Sequence, residues 1–244
     1  MISIITVVYN GGKTIENTIL SVVNQTYKDI EYIIIDGGST DNTLEIINAY
    51  KTKIAKLVSE PDKGLYDAMN KGLNLATGDY VLFINSGDKL ASPDTIQNAL
   101  SVANNADVIY GETEIIDQNW QVIHNRRHKA PKELNWKLFR NGMLVSHQSF
   151  IARRSFSTSY NLGYKYASDF DWCLEVLKKS TNIKHANMVI SHFMEGGQTS
   201  KTIIPGLKER FSIMRKTYGL FPTLFSNFVL GIKFFLFVIR NRWF

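Results

Sequence analysis

Four short stretches of the chain carry side chains able to do chemistry. Asn85-Ser86-Gly87-Asp88 follows the apolar run "YVLF" and leaves a carboxylate at the end of a strand-like segment. Asp36 ends a second apolar run and opens "DGGSTD". Asp169 and Asp171 stand two residues apart where a helical pattern begins, and His192 follows the strand-like "MVIS". A carboxylate at a strand end can accept hydrogen bonds from a nucleobase or ribose, as acidic residues do in nucleotide folds. It can also hold a hard cation or take a proton from a hydroxyl. Each stretch has a plainer use as well. Asn, Ser, Gly and Asp leave a strand cheaply as turn residues, Ser39, Thr40 and Asp41 suit a helix cap, and acids at a helix start favour the dipole. A lone histidine fits a structural role too.

The elements that must position these groups follow from periodicity. Residues 2–8 and 32–35 are continuous apolar runs that read as buried strands, "KLV" at 56–58 is a short strand, and "YVLFI" is another. Between them lie helical patterns: the apolar row Ile15, Ile19, Val22, Val23; the segment from Thr40 to Tyr50; and 66–76 through Tyr66, Met69 and Leu73. Ser92 followed by Pro93 reads as a helix start, with Pro where its missing N–H costs nothing. Strands alternating with helices predict an α/β fold with a doubly wound, mainly parallel sheet over residues 1–110. Beyond "DVIYGE" the texture changes. Runs at 107–117 and 120–124 predict mixed pairing, "ELNWKLFRNG" a helix and "SFIA" a strand, a half that extends the same sheet and walls a cleft.

Composition excludes some classes. At 244 residues the chain can bury one sizeable core. Its single cysteine, Cys173, cannot form an internal disulfide and falls in the apolar row Phe170, Cys173, Leu174, Leu177. "NGGKT" at 10–14 lacks the first glycine of a P-loop, since Val7 stands there, and no G-x-G-x-x-G follows the first strand. The N-terminus enters a strand at once, which predicts no secretory leader. The net charge of +6 divides unevenly: residues 201–244 hold eight Lys or Arg against Glu209 alone, a balance of +7 that leaves −1 for residues 1–200. That argues against a nucleic-acid surface on the main domain and for one attachment region with an anionic partner.

In order along the chain, "TVVYN", "SVVNQTYKDIEYIIIDGGSTDNT", "EPDKGLYDAMNKGLNLATGDYVLFINSGD", "SHQSF" and "ASDFDWCLEV" closely resemble glycosyltransferase family 2, the inverting nucleotide-sugar transferases of the GT-A fold, from residue 2 to about residue 200. The resemblance implies a GT-A domain over 1–200, with 1–110 the nucleotide-binding half and 111–200 the acceptor side. It sets Asp36 against the base, commonly uracil, in a pocket lined by backbone around Thr6, Val8 and Tyr9. Asp67 and Lys71 fall near the donor sugar and diphosphate; an i,i+4 ion pair on a solvated face is the other reading of them. Ser86–Asp88 aligns with a D-x-D-like motif that holds Mg²⁺ or Mn²⁺ on the diphosphate. Its first acid is replaced by Ser86, so only Asp88 offers a carboxylate. His192 matches a region where some relatives place a metal ligand, the glycines of "EGGQTS" suggest a loop over the diphosphate, and His147 and Gln148 match a pattern lining the cleft. Asp169 takes the place of the catalytic base, with Ser168 in place of the preceding acid and Asp171 one step inside the helix.

The segment 221–239 is apolar and aromatic but interrupted by Lys233, with Arg240, Arg242 and Trp243 after it. A spanning helix needs about 20 apolar residues. The pattern fits an in-plane membrane anchor better, with packing on the domain or in a homo-oligomer interface as the other use. The expected protein is a cytoplasmic enzyme held to the inner face of the membrane. It moves a hexosyl or N-acetylhexosaminyl group from a nucleotide-sugar donor, a UDP-sugar by resemblance, to a lipid-linked or other glycan acceptor in cell-surface polysaccharide synthesis. A catalytically silent nucleotide-binding scaffold with the same fold is the alternative.

Overall fold

The structure, a computed structural model, describes residues 1–196 and 203–241. Its centre is a mixed sheet of nine strands. The first half supplies β1 (Ile2–Val8), β2 (Ile30–Asp36), β3 (Lys56–Ser59), β4 (Tyr80–Phe83) and β5 (Lys89–Leu90). The second supplies β6 (Val108–Ile116), β7 (Val122–Asn125), β8 (Phe150–Arg153) and β9 (Ile183–Met194). The order is β3-β2-β1-β4-β8-β6-β9-β5, with β7 paired to β6 outside this path. The pairs β1–β2, β1–β4, β2–β3 and β6–β9 are parallel. The antiparallel β8, between β4 and β6, joins the two halves.

The central strands are β-branched and buried on both faces, as parallel strands under helices must be. Alternate residues of β1 separate cleanly: Ile5 and Val7 join one core with Phe83 and Trp172, while Ile4 and Val8 join the other with Ile19 and Leu82. Helices α1 (Ile15–Val23), α2 (Thr43–Ala49) and α4 (Thr95–Ser101) bury residues in the second core. Helices α3 (Leu65–Leu75) and α5 (Ser168–Lys179) bury theirs in the first. Gly72 makes the α3 contact: a Cβ there would come within 2.4 Å of Ile5 Cγ2. The apolar row of α5 is buried as its spacing predicts, Cys173 included.

Two expected helices differ. The segment after Asn135 is a 3-10 turn, Trp136–Asn141, in which the Asn135 side chain accepts from Lys137 and Leu138 N–H and Gly142, at φ +99°, ends the turn. Helix α4 starts at Thr95, two residues past Pro93. Buried Gln25 is the reason: its amide donates to the Ser92 carbonyl, and its oxygen accepts from Ile96 N–H, replacing the bond that would have begun the helix earlier.

At the C-terminal side, α6 (Ile203–Tyr218) and α7 (Leu220–Asn241) follow. Ile213 and Met214 of α6 lie in the first core. Glu209 accepts from the N–H groups of Lys165, Tyr166 and Ala167 at 2.7–2.9 Å, the segment leading into α5. Phe221, Leu224, Phe225, Phe228 and Ile232 of α7 are exposed. Among the described residues no helix is long and apolar enough to cross a membrane. The expected loop glycine Gly197 with the rest of "QTS", and the flanking Arg242 and Trp243, lie outside the described residues.

Candidate active site

Register decides what meets at the sheet edge. Val8 pairs with Asp36, and Asp36 with Ser59, so β1, β2 and β3 end together. Beyond β4 the ladder continues through Ile84 N–H to Ile5 O and Ser86 N–H to Val7 O, which brings Asn85–Asp88 beside the end of β1. Helix α1 fixes this turn. Thr18 Oγ1 donates to the Asp88 carbonyl at 2.7 Å and accepts from Gly87 N–H, and Thr14 and Ser86 share a hydroxyl contact of 2.9 Å. Gly87 sits at φ +99°, a conformation glycine adopts without strain.

Asp88 is buried, 5% exposed. Its Oδ2 accepts from Gln148 Nε2 at 2.8 Å and its Oδ1 from Met194 N–H at 3.3 Å. Burial pushes its pKa up to about 6, against the Gln148 hydrogen bond, the charge of His147 and the Met194 N–H, all of which favour the ionised form.

The expected donor-side residues divide. Tyr9 is open to solvent at 64%. It stands near Gly37, where a Cβ would lie 3.5 Å from its ring and 2.3 Å from Asp62 Oδ2. Thr6 is core: its hydroxyl donates to Ile84 O and contacts Tyr32. Asp36 is fully buried, and its carboxylate accepts from Ser39 N–H, Ser39 Oγ and Ser59 Oγ, so it builds the turn that leads to the Gly37 surface. Asp67 accepts from Lys63 N–H at the start of α3. Lys71 pairs with Glu60 at 2.8 Å and donates to Pro61 O, in place of the i,i+4 pair with Asp67. The sequence reading passed over Asp62, since only the fold brings it to Tyr9.

Across the cleft, Asp169 opens α5. Its Oδ1 accepts from Tyr66 OH at 3.2 Å, and its Oδ2 lies 3.4 Å from His147 Nδ1. Burial raises its pKa, but the His147 hydrogen bond and charge, Arg210 and the Phe170 N–H outweigh it and hold the carboxyl below its ordinary value. Asp171 has neither partner; its pKa is raised by burial and then by Glu175. Between the two walls runs the 3-10 turn His147–Ser149. Successive side chains of such a turn diverge by about 120°. Thus His147 reaches Asp169 and Asn85, while Gln148 reaches Asp88.

His192 stands opposite Lys89 on β5, with Nε2 3.1 Å from Glu114 Oε2 and a buried Nδ1 that has no partner. Burial, then Lys89, lowers its pKa. Among the described residues no hydrogen bond joins it to Asp88, and no three His, Cys, Asp or Glu side chains are grouped to hold a metal. One buried carboxylate suits Mg²⁺ or Mn²⁺ that takes its other ligands from phosphate and water, and does not suit a cation caged by protein alone.

A parallel half joined through antiparallel β8 to a mixed half, with a carboxylate at a strand end and another at a helix start on either side of one turn, fits the GT-A arrangement of a glycosyltransferase. The chain belongs to glycosyl transferase family 2, whose model matches residues 3–160. It is 30% identical over 214 residues to a PGL/p-HBAD biosynthesis glycosyltransferase of Mycobacterium tuberculosis, covering 84% of this chain and 80% of that one. It is 26% identical over 250 residues to the Escherichia coli UDP-Glc:alpha-D-GlcNAc-diphosphoundecaprenol beta-1,3-glucosyltransferase WfgD, covering 99% and 97%. In fold it is similar to S. aureus TarS 1-349 in complex with UDP-GlcNAc, with a TM-score of 0.70 and 20% identity over 88% of this chain and 64% of that one. It is similar also to the mannosyltransferase PcManGT of Pyrobaculum calidifontis in complex with GDP-Man and Mn²⁺, with a TM-score of 0.66 and 16% identity over 94% and 69%.

Proposed function

We propose that this glycosyltransferase moves a hexosyl or N-acetylhexosaminyl group, with inversion, from a UDP-sugar to a sugar on a lipid-linked acceptor. The observation that carries the reading is the pair of carboxylates on facing walls, Asp88 and Asp169, tied to neighbouring residues of one turn. Asp169 removes the proton from the acceptor hydroxyl as that oxygen attacks the anomeric carbon from the side opposite the departing diphosphate. His147 and Tyr66 orient its carboxylate. Tyr9, Val8 and the Gly37 turn, braced by Asp36, line the nucleoside side, with Asp62 beside them. Ser86 lies toward the diphosphate, and Asp67 and Lys71 shape the loop at the start of α3. Mg²⁺ or Mn²⁺, held by Asp88 and the donor's own phosphates with His192 as a further candidate ligand, supplies positive charge for the leaving group. The diphosphoundecaprenol in the name of the relative WfgD supports the acceptor class. The exposed apolar face of α7 and the basic balance of residues 201–244 support attachment to an anionic inner leaflet. Calorimetry with UDP, with and without Mn²⁺, followed by hydrolysis of a panel of nucleotide sugars, tests the donor. Failure of any nucleotide to bind ends the reading.

A further inference from the structure

Two arginines beside Asp169 have no role in the chemistry above. Arg126 follows β7, and its guanidinium is held along one side by carbonyls, with Nη1 donating to Leu144 O at 3.1 Å and Nη2 to Met143 O at 2.7 Å. Arg210 comes from α6, one residue after Glu209 has fastened that helix to the start of α5. Its guanidinium lies 5.4 Å from the centre of the Phe170 ring, next to Asp169, and its Nε is buried without a hydrogen-bond partner. Among the described residues neither arginine is ion-paired. They act electrostatically on each other and on Asp169: burial and then Arg210 push the Arg126 pKa down to about 10, which leaves Arg126 cationic at neutral pH.

Two partly buried guanidinium groups, one with an idle buried N–H and the other held by carbonyls along one side only, leave donors near Asp169 that an anion would take up. Planar guanidinium groups suit phosphate oxygens in particular. This charge lies on the Asp169 side of the turn, with Arg210 against Phe170. Asp88, on the donor wall, answers to Gln148, His147 and the Met194 N–H, whereas Asp169 answers to His147 and Arg210. Leu207 and Ile204, one and two turns before Arg210 on α6, are exposed at 52% and 67%. An anion seat thus adjoins an apolar strip of the same helix.

We propose that Arg126 and Arg210 seat the phosphate or diphosphate of the acceptor, with the acceptor sugar lying between them and Asp169 and its lipid running along Ile204 and Leu207. The inference rests on the glycosyltransferase reading and adds to it the side chains that take the charged end of the acceptor, a sugar attached through an anomeric phosphate rather than a neutral glycoside.

The test is calorimetry on the full chain saturated with UDP and Mn²⁺, titrated with dodecyl diphosphate, inorganic pyrophosphate or dodecyl maltoside below micelle formation. Dodecyl diphosphate should bind, and Arg210→Gln should weaken it by about 10-fold or more, the scale of a lost charge-assisted hydrogen bond. Arg210→Lys and Arg126→Lys should fall in between, with unchanged melting temperature. Pyrophosphate should show the same dependence on Arg210 at lower affinity, which separates the headgroup from the chain. Equal affinity of Arg210→Gln for dodecyl diphosphate, or equal binding of dodecyl maltoside, overturns the seat. So does a matching loss of UDP affinity in Arg210→Gln, because the pair would then serve the donor. A chain that binds the diphosphate through Arg210 but not UDP keeps the seat and loses the donor reading.

Discussion

His147 and Gln148 are neighbours in the chain and serve opposite walls of the cleft: the first lies 3.4 Å from the Asp169 carboxylate, the second donates to Asp88 at 2.8 Å. Any movement of this turn therefore changes both carboxylates together.

Asp169→Asn keeps the shape and removes the proton acceptor. Transfer should fall by roughly 10²-fold or more, the scale of a lost general base, while UDP affinity stays within twofold by calorimetry. An active Asp169→Asn beside a dead Asp171→Asn would move the base to Asp171.

On the proposed mechanism, the contact with His147 keeps Asp169 ionised as pH falls. Because Asp169 is held below the ordinary carboxylate range, its own ionisation should limit transfer only below that range, beneath the loss expected near pH 6 as Asp88 takes up its proton. In His147→Phe burial acts on Asp169 without its counterweight, so the acid limb of kcat/KM should move to higher pH. UDP binding without metal, which does not pass through Asp88, should not follow it when measured at the same pH values.

Asp88 behaves oppositely. A carboxyl whose folded pKa is near 6 holds its proton better folded than unfolded, so it reduces stability as pH rises from about 4 to 6 and keeps that cost above 6. Relative to its effect below pH 4, where its NH₂ facing the Gln148 or Met194 donor sets the baseline, Asp88→Asn should gain roughly 2–3 kcal/mol of stability at pH 7.5, the equivalent of about two pKa units. Denaturant titrations of the ligand-free protein at the two pH values read the difference, and transfer should be lost. Equal effects at both pH values would show that the side chain is neutral or well solvated.

Glu209→Gln replaces three charge-assisted hydrogen bonds with an amide whose NH₂ faces donors. A loss of about 1–3 kcal/mol is expected, read as a lower melting temperature, with UDP affinity unchanged. A neutral substitution would mean that the segment before α5 is held by its other contacts.

Removing residues 220–244 takes away α7 with its exposed Phe221, Phe225 and Phe228 and leaves α6 on the core. The shortened chain should stay with the supernatant when anionic liposomes are sedimented and should bind UDP as before. Unchanged sedimentation would transfer the attachment to α6 or the domain.

The sheet was legible because its strands are written locally. Runs such as "ISIITVV" and "YIII" are continuous and β-branched, and their helices repeat at the right period. The boundary errors arose where one distant side chain, Gln25, took over backbone bonds near Pro93. In the site, the positions of Asp88 and Asp169 followed from strand end and helix start, but their partners did not. Tyr66 meets Asp169 across 103 positions, and Gln148 meets Asp88 across 60, contacts no local pattern encodes. The resemblance sets Asp36 against the base, and its place at a strand end leaves a turn-building use open beside that role. The serines that enclose it, Ser39 and Ser59, are visible in the sequence, but only the β2–β3 register brings the second against it.

The grip of Glu209 also sets an order of events. Chains emerge from synthesis N-terminus first, so the N–H groups of Lys165, Tyr166 and Ala167 exist for more than forty residues of elongation before their acceptor does. Until Glu209 arrives, the approach to the helix that bears Asp169 has no anchor on α6. The segment that leads to Asp169 is pinned only once α6 has been made.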